Sequence, residues 1–142
     1  MENEEQEIVR IAATVFNRDV GGDEQSTQAF LEGLTKLAQQ KGVQLVHLGN
    51  SLFLAVVKGK GLVEFHTMSA STAPKDVAKD IVALVKYLKN IGVSVAYTYS
   101  ANPEYKAKIK ATKLDFADKR VTTPDGEKYT AYYLDLRQKG GA

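Results

Sequence analysis

Glu64 and His66 stand two residues apart in the segment Leu-Val-Glu-Phe-His-Thr-Met-Ser, residues 62 to 69. If that segment is a strand, side chains at i and i+2 point the same way. The carboxylate and imidazole would then form a pair able to take a proton from an amine. The same residues also read as a half-buried strand, with Val63, Phe65 and Thr67 inward and Glu64 and His66 in water. A second stretch, YTYSANPEYKAKIKATKLDF from Tyr97 to Phe116, starts as an alternating strand and turns at Ser-Ala-Asn-Pro into a lysine-rich helix. Asn102 suits an N-cap and Pro103 the first helical position, where its missing N–H costs nothing. Glu104 complements the positive end of the helix dipole. A strand end facing a helix start is where α/β proteins hold ligands.

Other chemistries are narrowed by composition. The chain has no cysteine, hence no disulfide, thiolate metal site or cysteine nucleophile, and its two histidines argue against a histidine-rich metal site. Lys106, Lys108, Lys110, Lys113, Lys119 and Arg120 lie near Tyr97, Tyr99 and Tyr105, a composition that could serve nucleic acid. The spacing disfavours it, because Lys106, Lys110 and Lys113 share a helical face while Lys108 points elsewhere, and the tyrosines alternate along a strand internal to the sheet. Tyr129, Tyr132 and Tyr133 occupy both faces of the last strand, so one face offers aromatic surface for another protein chain or simply packs under a helix.

The elements that must position these residues follow from periodicity. With 142 residues, 44% hydrophobic and 25% charged, the chain is expected to be one globular domain, residues 1–142, with 137–142 a flexible tail. Formal net charge is +2, but seven acids against two arginines in the first 24 residues leave +7 on the rest. A solvated charged face is the commoner cause of such an asymmetry, an acidic partner the rarer. There is no apolar run of the ~18 residues a span needs, and the acidic start MENEEQE is unlike a signal peptide, so the expectation is a soluble, cytoplasmic protein without a membrane span.

Residues 4 to 17 place Ile8, Ile11, Ala12, Val15 and Phe16 on one helical stripe, and residues 24 to 40 place Phe30, Leu34, Leu37 and Ala38 on another. Three strands, VQLVHLG, SLFLAVVK and LVEFHTMS, are separated by Gly49-Asn50 and Lys-Gly-Lys-Gly, turn signals that predict an antiparallel meander. Lys75 to Asn90 is an amphipathic helix on Val77, Ile81, Leu84, Val85 and Leu88, closed by Gly92. Strand VSVAYTY, the helix after Pro103 and a hairpin around Thr-Pro-Asp-Gly complete the chain. The order ααβββαβαββ makes an α/β (α+β) fold whose mixed, mainly antiparallel sheet has about six strands with helices on both faces. The helix between the third and fourth sheet segments favours a parallel crossover.

This order resembles the GNAT superfamily, the Gcn5-related N-acetyltransferases, without that fold's first strand. The resemblance implies that LVEFHTMS and VSVAYTYS splay apart and that acetyl-CoA's pantetheine would lie between them like an added strand. The stretch ANPEYKAKIKATKLDF is similar to the family's asparagine-started helix and following strand, making Asn102 one wall of the cofactor cleft. Where the family carries a glycine-rich pyrophosphate loop, this chain reads MSASTAPKDVAKD, with no glycine and a proline at position 74. The resemblance then implies that Thr67, Met68 and Ser69 would hold the pantetheine by main-chain pairing, and that Ser71, Thr72 and Lys75 would meet the phosphates. The family's general-acid tyrosine has no match within Ala107 to Ala111, which leaves Tyr105 as the candidate, or as a tyrosine packed on the preceding strand.

The altered loop favours a non-catalytic structural or assembly protein, with other protein chains as partners and no cofactor. The chain is similar to acetyltransferase-like proteins of short-tailed bacteriophages, which would place it in a virion or host cytoplasm. The alternative is an acetyl-CoA-dependent N-acetyltransferase with an atypical loop. Strand divergence is expected under both, with solvent or a partner's side chains in the gap in the first reading and acetyl-CoA in the second, and only its absence would decide, against the enzyme. Divergence would strip ladder partners from Thr67 to Ser69 and Tyr97 to Tyr99 and open a wedge near Ser71 and Asn102, whereas an unbroken ladder to Ser69 and Tyr99 would leave no cofactor slot.

Overall fold

A computed structural model describes residues 2–21 and 23–137. Of the tail expected at 137–142, residues 138–142 lie outside the described residues. The expected element order is present: α1 (Glu2–Asp19), α2 (Glu24–Ala38), β1 (Val43–Leu48), β2 (Ser51–Gly59), β3 (Leu62–Ser69), α3 (Pro74–Asn90), β4 (Val95–Ser100), α4 (Tyr105–Ala111), β5 (Ala117–Thr122) and β6 (Lys128–Asp135). No helix among the described residues is long and apolar enough to cross a membrane.

Each helix buries the stripe its sequence provides. In α1, Ile11, Ala12 and Val15 are buried, and α2 adds Leu34. The Asp23 carboxylate caps α2 by accepting from the Ser26 N–H at 2.8 Å, satisfying one of the donors a helix start leaves open. Together they cover Leu45, Leu52 and Met68 on one face of the sheet. On the other face, α3 sets Val77, Ile81, Leu84 and Leu88 against Phe53, Val63, Phe65, Ala96 and Leu134. Alternation along the strands explains the division, since Leu52 and Met68 point one way and Phe53 and Phe65 the other.

The sheet has six strands in the order β1-β2-β3-β4-β6-β5. All neighbours are antiparallel except β3 and β4, joined by the α3 crossover. That parallel ladder is short. It pairs Leu62 with Val95, Val63 with Ala96 and Glu64 with Tyr97, and there it ends. Beyond it, Phe65 to Ser69 continue to pair with β2 and Thr98 to Ser100 with β6, so the two strands diverge at mid-sheet.

A buried polar knot holds the far end of β3. The Asp80 carboxylate, which falls inside the apolar stripe of α3, accepts from Ser51 Oγ at 2.6 Å and from the Asn50 N–H at 3.3 Å. Ser51 Oγ lies 2.9 Å from Ser69 Oγ, and Ser69 Oγ donates to the Asn50 carbonyl at 3.3 Å. The β1–β2 turn approaches so closely that a Cβ on Gly49, at φ 59°, would sit 2.1 Å from Asp80 Oδ1. Glycine is required there by both backbone conformation and space.

Two local expectations are corrected. Asn102 does not cap α4, which begins at Tyr105 with Glu104 in the capping position. Residues 102 to 107 are wound more tightly: Tyr105, Lys106 and Ala107 donate to the carbonyls of Asn102, Pro103 and Glu104, three residues back, and the Asn102 side chain accepts from the Glu104 N–H at 2.9 Å. Lys113 leaves the expected lysine stripe because α4 stops at Ala111 and Lys113 takes a left-handed φ of 59°.

Removing the knot's acceptor tests its weight. Asp80→Ala leaves the Ser51 hydroxyl and the Asn50 N–H without their buried partner, and is expected to lose about 1 to 3 kcal/mol in urea unfolding. A wild-type midpoint and slope would show that the knot contributes nothing.

Candidate active site

The divergence of β3 from β4 creates a crevice whose β3 wall is the edge of Phe65 to Ser69. The expected divergence is therefore present, although it starts later on β4 than anticipated: Tyr97 keeps its partner Glu64, and Tyr97 to Ser100 are paired with β6 on their other side. Tyr105 spans the crevice on the α3/α4 face. Its hydroxyl lies 2.9 Å from Thr67 Oγ1 on β3 and is hydrogen-bonded to Thr98 on β4, while its ring packs 5.9 Å from that of Tyr132. Tyr105 is half-buried, and burial raises the pKa of its hydroxyl against the opposing pull of the Thr67 and Thr98 hydrogen bonds. Tyr105 is thus both packed on the preceding strand and aimed into the gap.

Glu64 and His66 meet on the opposite face of β3. Glu64 Oε2 is 2.6 Å from His66 Nε2, and Glu64 Oε1 accepts from the Tyr97 hydroxyl at 2.9 Å. The Glu64 side chain is only 12% exposed, so it does not stand in water as the half-buried-strand reading held. Burial raises its pKa, but the hydrogen bonds from His66 and Tyr97 outweigh that and bring it below the usual carboxylate value. The carboxylate of the pair is therefore ionised and fixed by two donors, and His66 sets its ring edge-on to Tyr99 at 5.5 Å.

Tyr97 is the site residue that sequence reasoning missed, since its contact with Glu64 depends on the parallel register. Tyr133 stacks on it at 5.6 Å and Tyr129 meets Tyr99 edge-on at 5.7 Å. The four tyrosines share the face that α1 and α2 cover only over β1 to β3, which leaves Tyr99 42% and Tyr133 38% exposed. The last strand does bury one face and offer the other: Tyr132 is in the core beneath α4.

The loop before α3 is differently occupied from the expectation. Ser69 belongs to the knot, and Met68 turns its side chain into the α1/α2 core. Ser71 Oγ donates to Asp76 Oδ2 at 2.9 Å and accepts from the Ala73 N–H at 3.2 Å, while the Ser71 N–H goes to Ser69 Oγ at 3.2 Å. With Pro74 lacking an N–H, Thr72 and Lys75, both exposed, are the groups of this loop that still face outward. Asn102 lies on the other side of the crevice, in a cleft lined from β4, β5 and β6 rather than from β3. The lysines are also dispersed: Lys106 pairs with Asp118 at 3.7 Å, and Lys108 sits 6.0 Å over the Tyr105 ring.

No protein-family model and no curated protein sequence matches the chain. Solved structures do. A mutant of spermidine N-acetyltransferase from Vibrio cholerae superposes with a TM-score of 0.66 at 13% identity, over 90% of this chain and 89% of that one. AAC(6')-Ib in complex with Parmomycin and acetyl-CoA gives 0.67 at 17% identity, over 94% and 93%. The ribosomal-protein-S18-alanine N-acetyltransferase from Escherichia coli gives 0.59 at 14% identity, over 93% and 90%. The chain has the GNAT fold, as its element order indicated. The expectation of a non-catalytic structural or virion-assembly protein is corrected by these findings: the structures of this fold named here are acetyltransferases, and the likeness to phage proteins gains no support from them.

The Glu64–Tyr97 hydrogen bond has a measurable titration. Burial first, and then donation to the Glu64 carboxylate, push the Tyr97 pKa up from 10.0 to about 12. A raised pKa means that this stability is present below pH 10 and lost as pH rises through about 12. Glu64→Gln is expected to lower the Tyr97 pKa toward 10, followed by NMR of its ring carbon. An unchanged value would mean that burial alone sets it.

Proposed function

We propose that this chain is an acetyl-CoA-dependent N-acetyltransferase with an atypical pyrophosphate-binding loop. The observation that supports this most is the ladder between β3 and β4, which stops after Glu64 and Tyr97 inside a fold shared with the acetyltransferases named above. A strand edge left without a neighbour must find hydrogen-bond partners. The edge of Phe65 to Ser69 suits an extended chain bearing amides, which is the chemistry of pantetheine. The loop fits the phosphates less fully, because the Ser71 and Ala73 N–H groups are already bonded within it. Thr72 and Lys75 are the residues we assign to the phosphates.

When bound, acetyl-CoA supplies the acetyl group as a thioester. The chain's own residues manage the protons. Glu64, held ionised by His66 and Tyr97, accepts the proton that an ammonium group must lose before its nitrogen can act as a nucleophile. His66 Nε2, 2.6 Å from Glu64 Oε2, donates to the carboxylate and so orients it. Tyr105, whose raised pKa keeps it protonated at neutral pH, is the acid for the departing sulfur. Base and acid project from opposite faces of the sheet, so acceptor and thiol would be served from the two sides of one gap.

Acetyl-CoA at about 100 times its Kd is expected to stabilise the protein by about 2.7 kcal/mol. Glu64→Gln should lower kcat/KM for a primary amine by about 10²- to 10⁴-fold with acetyl-CoA binding retained, and Tyr105→Phe should lower kcat. No stabilisation by millimolar acetyl-CoA would overturn the proposed function. Full transfer activity in both variants would overturn the assigned roles alone.

A further inference from the structure

At the outer end of the sheet the register brings together residues far apart in sequence. Ser100 on β4 pairs with Thr130 on β6, which pairs with Arg120 on β5, so the three side chains form one row on one face. One row further out, Thr122 pairs with Lys128, and their side chains share that face because they are two residues along from Arg120 and Thr130. These five residues, with the Ser100–Pro103 turn and Tyr129, line a cleft of about 420 Å³. No carboxylate lines it.

The charges around the cleft are unbalanced. Among the described residues, Arg120 and Lys128 are exposed and make no ion pair within 4.0 Å. The closest acid on the same face, Asp118, is one row inward and pairs with Lys106. Asp125 and Glu127, at the tip of the β5–β6 hairpin, are engaged by the Thr123 and Tyr129 hydroxyls. Asn102 uses its side-chain oxygen for the Glu104 N–H, which leaves its amide nitrogen as a donor. Two cations, an amide and the hydroxyls of Ser100 and Thr122 thus line a cleft with no carboxylate in its wall, while the Thr130 hydroxyl is engaged by Tyr132. A guanidinium beside an ammonium and several hydroxyls is the donor set that phosphate oxygens take.

We propose that this cleft is a binding site for a phosphate group, with Arg120 and Lys128 as its two charged contacts. The site stands on the β4–β6–β5 register and does not depend on the acetyltransferase reading. The phosphate could belong to the 3'-phosphate of coenzyme A or to a phosphorylated acceptor, and the two sources are separable.

Titration of the full chain with inorganic phosphate, followed by amide NMR at constant ionic strength, is the test. Saturable shifts are expected at Ser100, Arg120, Thr122, Lys128 and Thr130, with affinity falling as sodium chloride is raised. Arg120→Gln combined with Lys128→Gln, both at exposed positions that keep the fold, should weaken binding at least about tenfold. Removing two distant exposed lysines by Lys36→Gln and Lys41→Gln should leave it unchanged. Cleft shifts with coenzyme A but not with dephospho-coenzyme A would assign the phosphate to the cofactor. Shifts with inorganic phosphate and with neither coenzyme would assign it to another ligand. The proposal is overturned if phosphate gives no saturable shift at these residues, if both double variants weaken binding equally, or if the shifts fall on α4 instead.

Discussion

The crevice exists because the end of β3 is tied to β2 and α3 and cannot follow β4. Asp80 carries that tie from within an otherwise apolar helix face, and Ser51, Ser69 and the Asn50 backbone complete it. A buried carboxylate without partners is among the costlier features a core can contain, whereas one with converging donors fixes the geometry of everything bonded to it. Gly49 is drawn into the same arrangement by the lack of room for a Cβ. Strand divergence in this chain therefore follows from a polar anchor at one end of β3 and three ladder pairs at the other.

Between those fixed points the two sides of the sheet carry different chemistry. The α1/α2 side is short of helix over β4, β6 and β5, and the uncovered surface is made of tyrosine rings ending at an ionised carboxylate. The α3/α4 side is filled, and Tyr105 places a protonated hydroxyl between Thr67 and Thr98. One strand, β3, serves both sides through simple alternation, with Glu64 and His66 facing one and Thr67 the other.

Element types and order were legible because apolar spacing switches cleanly between helical and alternating periods and because glycine marks nearly every turn. The start of α4 was not, since Asn102 and Pro103 suit a cap by residue type while the backbone winds more tightly through them before Tyr105. Asp80 left a trace, an acid three residues beyond Val77 in the α3 stripe, but its partners come from a turn 30 residues away. Glu64 and His66 were readable as a pair from spacing alone. Tyr97 was not readable as their companion, because nothing local sets the register of a parallel pair. The row of Ser100, Thr130 and Arg120 was hidden more deeply still, as it depends on β6 entering the sheet between β4 and β5.

That strand order also governs how the sheet can be assembled as the chain is made. β4 and β5 have no direct ladder with each other, and each meets the sheet's outer half only through β6, the last element described. The meander of β1 to β3 can close early, since each of its strands pairs with the next one in sequence. The outer half cannot close until β6 is available to pair, and until then β4 has only α3 and its three pairs to β3. Nascent chains stalled before β6 are then a half-built sheet with an open edge at β4, the species most exposed to mispairing and to chaperone capture.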